Sequence, residues 1–189
     1  MPAIRIATPN DAAQILAIYA PYIQNTSITF ETTVPTLPVF ATRIASYLEN
    51  WPWLVWEEKG EIGGYAYASR YRERTAYQWS VEVSVYIHNH YFKKGIAAKL
   101  YHSLFNILKK QGFRNVYAVI NLPNEPSIRL HEKLGFHWFA TYENVGYKLG
   151  GWKNVGWWRL IIQNFDIEPP TPIPFSKMDA TCVDKALNG

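Results

Sequence analysis

A chain of 189 residues with eight Trp and thirteen Tyr is long enough for one domain with a full core, and its aromatic content points to a large aromatic core, a stacking pocket or a subunit interface. Nineteen Lys and Arg against fifteen Asp and Glu give a formal charge of +4, which favours anionic ligands but is far from nucleic-acid-binding levels, so no nucleic-acid partner is expected. One cysteine, Cys182, excludes an intrachain disulfide, and the histidines share no ligand spacing with acids or cysteines, so no metal site is expected.

Ile4 and Ile6 begin a short strand, and Thr8-Pro9-Asn10-Asp11 then supplies an N-cap, a proline at the first helical position and an acid in the first turn. Ile15, Leu16, Tyr19 and Tyr22 mark the buried side of the helix that follows, with Pro21 ending or kinking it. Residues 25–35 are polar and Thr-rich and hold Phe30 and Glu31, after which Thr36 caps a second helix carrying Phe40, Ile44 and Leu48. Residues 53–58 and 62–70 flank Lys59-Gly60-Glu61 in the pattern of an antiparallel hairpin, and the loop YRERTAYQW leads onward.

The stretch 81–112 organises the chain. Val81, Val83, Val85 and Ile87 alternate with Glu82, Ser84 and Tyr86, which predicts a strand with Glu82 on the face opposite the valines. Ala97, Leu100, Tyr101, Leu104, Phe105 and Leu108 then recur at helical spacing, closed by Gly112. Between them, Lys93-Lys94-Gly95-Ile96-Ala97-Ala98 has the small residues and positive charge that let a phosphate approach a helix N-terminus. A solvated helix start with the same residues is the other reading.

Residues 115–121 form another strand, with Val116, Ala118 and Ile120 on one face, and Asn124 caps a helix over 125–134 that Gly135 closes. Two more strands, 136–143 and 155–163, surround the glycine-rich GYKLGGWKNVG. Residues 1–165 make one domain, and the four closely spaced prolines after Asp166 make 166–189 an extended or disordered tail. The opening MPAIRIATPNDAA lacks the apolar core of a signal peptide and no segment has the length of apolar sequence that crosses a bilayer, so a cytoplasmic protein without a membrane partner is expected. The fold class is α+β, a mixed three-layer α/β/α domain around a largely antiparallel sheet with about four helices.

SITFET, RERTAYQWSVEVSVYI, KKGIAA, INLPNEPSIRLHEKLGF and GYKLGGWKNVGWW, in this order, resemble the GNAT-type N-acetyltransferases, and among them the phosphinothricin and methionine sulfoximine acetyltransferases. The resemblance spans roughly residues 3–163. It implies that acetyl-CoA lies in a V-shaped gap between the central strand and the strand 115–121, with backbone groups of Val85, Tyr86 and Ile87 pairing with the pantetheine arm. It further implies that Lys93 to Ala98 hold the pyrophosphate and that Asn124 and Ser127 lie beside the arm. The family pattern has Gln or Arg where Phe92 stands, and a second glycine where Ala97 stands. The related enzymes are dimers, which implies a homodimer here.

Acetyl transfer requires a neutral amine, and the resemblance places the general base at Glu82. The alternative is a strand carboxylate paired with an arginine such as Arg72. His131 shares a helix face with Ile128 and Leu134, so its imidazole points inward. The phosphinothricin-type enzymes carry His at this point, as acid, relay or positioning group, and a buried histidine bonded to a carbonyl is the alternative. Arg72 and Arg74 suit the acidic or strongly polar head of an amino acid acceptor, with Thr75, Ala76 and Tyr77 offering further contacts and Phe30 covering the pocket. Exposed loop arginines are otherwise solvated charges.

Overall fold

The computed structural model describes residues 2–188. The chain runs β1 (Ala3–Ile6), a 3-10 turn (Pro9–Asp11), α1 (Ala12–Asn25), α2 (Leu37–Leu48), β2 (Trp53–Glu58), β3 (Glu61–Arg70), β4 (Ser80–Ile87), α3 (Ile96–Gln111), β5 (Asn115–Leu122), α4 (Glu125–Lys133), β6 (His137–Lys148), β7 (Gly151–Ile161) and α5 (Ala180–Asn188). The seven strands form one sheet in the order β1-β2-β3-β4-β5-β7-β6. Every neighbouring pair is antiparallel except β4 and β5, which run parallel.

The run Trp53-Leu54-Val55-Trp56 is apolar without alternation because β2 is covered on both faces. Trp53 and Val55 pack with α1, α2, Tyr65 and Tyr86 in one core, while Leu54 and Trp56 join α3, Val81, Val83 and Val116 in the other. α1 and α2 therefore lie on one face of β2–β4, and α3 lies on the opposite face of the sheet. Leu100, Tyr101, Leu104 and Leu108 of α3 are fully buried, each leucine worth about 1.5–3 kcal/mol relative to exposure.

Three segments add to or depart from the sequence-based expectation. Pro21 sits inside α1 without ending it, because Pro21 and Ala17, whose carbonyl loses its donor, are both on the exposed side where water can satisfy it. GYKLGGWKNVG belongs mostly to the β6–β7 hairpin. Its turn is Leu149-Gly150, at φ 51° and 76°, the positive dihedrals that match strand twist in a two-residue hairpin. Gly146 and Gly156 are strand residues over which the rings of Phe30 and Trp158 lie, so a Cβ there would meet those rings. Finally, the tail segment includes a fifth helix, α5, with Val183 and Ala186 buried against α3. Ala180, Val183, Ala186 and Leu187 recur at helical spacing behind the prolines.

Candidate active site

β4 and β5 pair only at Ser80↔Asn115, Val81↔Val116 and Glu82↔Tyr117. Both strands continue, to Ile87 and Leu122, but they separate, so the sheet has a slot in its middle. The His88 amide donates to the Gly63 carbonyl at 2.9 Å, in register with Gly64↔Ile87 and Tyr65↔Tyr86. Main-chain groups alternate along an antiparallel ladder, so those of Tyr86 and Ser84 point to β3 and those of Val85 and Ile87 point into the slot. The Ile87 carbonyl there accepts from the Tyr22 hydroxyl at 2.7 Å. Tyr86 therefore differs from its expected role, since its backbone is spent on β3 and its ring is buried among Tyr19, Tyr22 and Tyr65.

The slot opens toward the start of α3. Gly95 is the N-cap at φ 74°, and its carbonyl accepts from the Lys99 amide, which leaves the amides of Ile96, Ala97 and Ala98 without intrahelical acceptors. Lys93 also has a positive φ of 61°, while Ile96 is buried and anchors the turn. Lys94 places its ammonium 4.6 Å from the centre of the Tyr91 ring. Phe92 is exposed and supplies no polar group to this loop. Asn124 caps α4 by accepting from the Ser127 amide at 3.3 Å, directly after the end of β5.

Glu82 and Tyr117 are register partners and share a face of the sheet. That face is open beyond β4: Val119, on an interior strand, is 38% exposed. The Tyr71 ring stacks on Tyr117 at 4.2 Å, with Tyr77 edge-on to Tyr71 at 5.8 Å. The Arg72 guanidinium lies 5.2 Å from the Tyr71 ring and 5.7 Å from that of Trp157, and Tyr142 packs on Trp157 at 5.4 Å. These residues form an aromatic cleft with one cation beside Glu82. Burial raises the Glu82 carboxyl to about 7, against the smaller opposing pull of the Arg72 charge. No described residue forms an ion pair or side-chain hydrogen bond with Glu82, so the arginine-paired alternative does not describe it. A carboxyl half ionised near neutrality next to a cleft can accept a proton from a bound group and release it to water.

His131 lies elsewhere. It is buried beneath α3, with Nδ1–H donating to the Ser127 carbonyl at 2.8 Å and Nε2 3.2 Å from the Tyr101 hydroxyl, which donates to it. Burial pushes its pKa down, so the ring is neutral. With both nitrogens partnered, it has the geometry of the structural alternative and reaches the site through the Ser127 end of α4 rather than directly.

The segment 27–31 closes the far end of the cleft. Lys148, itself buried, donates to the Thr29 carbonyl at 2.7 Å, Asn121 donates to the Ser27 hydroxyl at 2.8 Å, and Phe30 lies over Gly146. Glu31 forms an ion pair with Arg43 at 2.6 Å. Arg74, Thr75 and Ala76 are exposed on the β3–β4 connection; Arg72, Arg74, Thr75 and Tyr77 line a cavity of about 260 Å³. Trp157, with Lys148, Trp152 and Trp158, is a sequence candidate for shaping the substrate mouth or a dimer contact, whereas Tyr71 and Tyr117 are not marked as ligand contacts by the sequence. Alternation along 115–121 does place Tyr117 on the Glu82 side, opposite Val116 and Ala118.

Residues 4–157 match the family described as the acetyltransferase (GNAT) domain. The chain belongs to the GNAT acetyltransferase family. It is 39% identical over 171 residues to a phosphinothricin N-acetyltransferase of Streptomyces viridochromogenes, covering 90% of this chain and 92% of that one. An L-methionine sulfoximine/L-methionine sulfone acetyltransferase of Salmonella typhimurium is 35% identical over 158 residues, 83% of this chain and 92% of its own. A GNAT superfamily phosphinothricin acetyltransferase from Sinorhizobium meliloti, solved in complex with AcCoA, superposes with a TM-score of 0.81 at 34% identity, over 85% of this chain and 88% of that one. The GNAT fold expected from sequence, with its splayed parallel pair, is the fold observed. Among the described residues no group of three or more His, Cys, Asp or Glu is arranged to hold a metal, and no helix is long and apolar enough to cross a membrane.

Proposed function

We propose that the protein is an acetyl-CoA-dependent N-acetyltransferase for the amino group of a small amino acid or analogue, of the phosphinothricin, methionine sulfoximine or methionine sulfone type. The observation that carries this reading is the slot beside Val85 meeting the Glu82 cleft where β4 and β5 part. Pantetheine lies in the slot as an added strand on Val85 and Ile87, and its diphosphate rests on the turn from Lys93 to Ala98. Asn124 and Ser127 border the arm.

Glu82 takes a proton from the acceptor ammonium, directly or through water. The neutral nitrogen then attacks the thioester carbonyl, whose oxygen gains negative charge opposite the Val85 amide. Collapse of the tetrahedral species breaks the carbon–sulfur bond, and the second proton that the nitrogen must lose passes to the leaving thiolate, directly or through water. Arg72 holds the acceptor carboxylate against the aromatic wall, with Arg74, Thr75, Ala76 and Tyr77 completing that side and Phe30 the opposite one. His131 is a positioning residue for the start of α4.

A polyamine or another cationic acceptor fits less well, because three arginines against the single acid Glu73 line the cavity beside the cleft. Thiol release with acetyl-CoA is the test, using methionine sulfone, phosphinothricin and spermidine as acceptors. Release that depends on the amino acids supports the reading. Binding of CoA without amine-dependent release makes the protein a sensor and overturns it. The exposed aromatic residues of the β6–β7 hairpin, Trp138, Tyr147 and Trp152 among them, suit a homodimer contact, and a cytoplasmic location supplies acetyl-CoA.

A further inference from the structure

The cavity beside Arg72 has a wall that belongs to neither β3 nor β4. Arg70, Arg72 and Arg74 line one side, and Pro172, Ile173 and Pro174 line another. These last residues belong to the segment 166–179, which lies beyond the residues matched to the family. The segment is tied down along its length. Asp166 forms an ion pair with Arg114, and Trp79 Nε1–H donates to the Pro170 carbonyl at 2.8 Å. The Ile173 amide donates to the Gln111 carbonyl at 2.8 Å, while the Gln111 side-chain amide donates back to the Ile173 carbonyl at 2.8 Å. The amides of Phe175 and Ser176 then donate to the carbonyls of Asn50 and Glu49, both at 3.2 Å. Prolines at 169, 170, 172 and 174 restrict the chain before it docks, so holding it as a strap costs little further entropy.

Arg72 joins the two spaces, because it lines this cavity and also lies against Trp157 in the Glu82 cleft. Three arginines against one acid, Glu73, make the cavity suited to an anionic group. We propose that the strap, through Pro172 to Pro174, is the outer wall of the acceptor pocket and a specificity-determining element: it bounds the arginine side and sets which acceptor side chains fit. The inference rests on the acetyl-transfer reading above.

The test compares kcat/KM for phosphinothricin, whose side chain ends in an anion, with that for methionine sulfone, whose side chain ends in a neutral group. In the double variant Pro172→Ala, Pro174→Ala the wall loosens and no longer holds the acceptor side chain against the arginines. The ratio of the two values is expected to fall by roughly five- to tenfold, with KM for acetyl-CoA unchanged. Val183→Ala, in α5 and away from the cavity, lowers the Tm through a lost core contact and leaves the ratio at the wild-type value. A ratio unchanged in the double variant, with only its Tm lowered, overturns the proposal. A wild-type protein that acetylates no amino acid instead removes the reading beneath it, a result distinct from an unchanged ratio.

Discussion

At the scale of single residues, Glu82 has opposite effects on activity and stability. Burial raises its carboxyl to about 7 in the folded protein, above the ordinary value, so with Glu82 as the proposed base wild-type activity is expected to rise as pH passes through about 7. Glu82→Gln removes that step while leaving acetyl-CoA binding intact, and turnover falls by about 10²- to 10⁴-fold near pH 8. The gap narrows at lower pH, where the wild-type base is itself protonated. Stability moves the other way. A carboxyl whose folded pKa is raised binds more protons when folded, so its cost appears as pH rises from the ordinary carboxylate range through 7. The glutamine variant is therefore expected to melt higher than wild type at pH 8, with the difference vanishing at pH 4; thermal melts at both pH values check this. His131 behaves differently. His131→Ala leaves the Tyr101 hydroxyl without its partner and is expected to cost about 2–3 kcal/mol of stability, while the acidic limb of the pH–rate profile stays where it was, since that limb belongs to Glu82. A displaced limb would return His131 to the chemistry.

Glu82 was legible because strand alternation puts it opposite the valines, and family likeness then gave it a role. Its raised pKa was not legible, since that comes from burial, which depends on how separate parts of the chain pack around the carboxyl and is not written in strand alternation. Tyr86 misled for a related reason. Side-chain alternation is visible in a sequence, but which of a strand's edges a given amide faces depends on its partner strand.

At the scale of elements, the turn into α3 follows from local chemistry alone. Gly95 holds a left-handed conformation in open space, with nothing within 4 Å of a would-be Cβ, so only its dihedral requires glycine. Gly95→Ala is expected to cost about 1–2 kcal/mol and to raise KM for acetyl-CoA several-fold, with KM for the acceptor unchanged. Steady-state kinetics with each substrate varied in turn separates the two. The helices α1 to α4 were readable because caps and apolar spacing agree with their packing. The β6–β7 hairpin and α5 were not. Gly146 sits in a glycine-rich stretch that reads as a connection, but it makes room for the Phe30 ring as Gly156 in β7 does for Trp158, and the apolar stripe of α5 follows a proline run that reads as a tail.

At the scale of the whole molecule, the sheet is double-covered on β2–β4 and open on one face at β5–β7. That asymmetry creates both the cleft and an exposed aromatic hairpin, β6–β7. Trp152 is 63% exposed and Tyr147 60% exposed, an apolar surface of the kind that the proposed dimer would cover. Sedimentation velocity is expected to show a dimer that Tyr147→Lys with Trp152→Lys converts to monomer; a wild-type monomer contradicts this. The layered architecture was legible from element order, whereas the open face was not, because exposure of Val119 depends on the absence of a helix above it.

Acetyl-CoA binding in the proposed mode depends on main-chain groups in the slot, and amide hydrogen exchange across β4 tests them directly. The amides of Val85 and Ile87 are expected to exchange fast in the free protein and to slow when acetyl-CoA is added, while that of Tyr86, already bonded to β3, is slow throughout. A Val85 amide as protected as that of Tyr86 before acetyl-CoA is added, or one that bound acetyl-CoA leaves unchanged, contradicts the account.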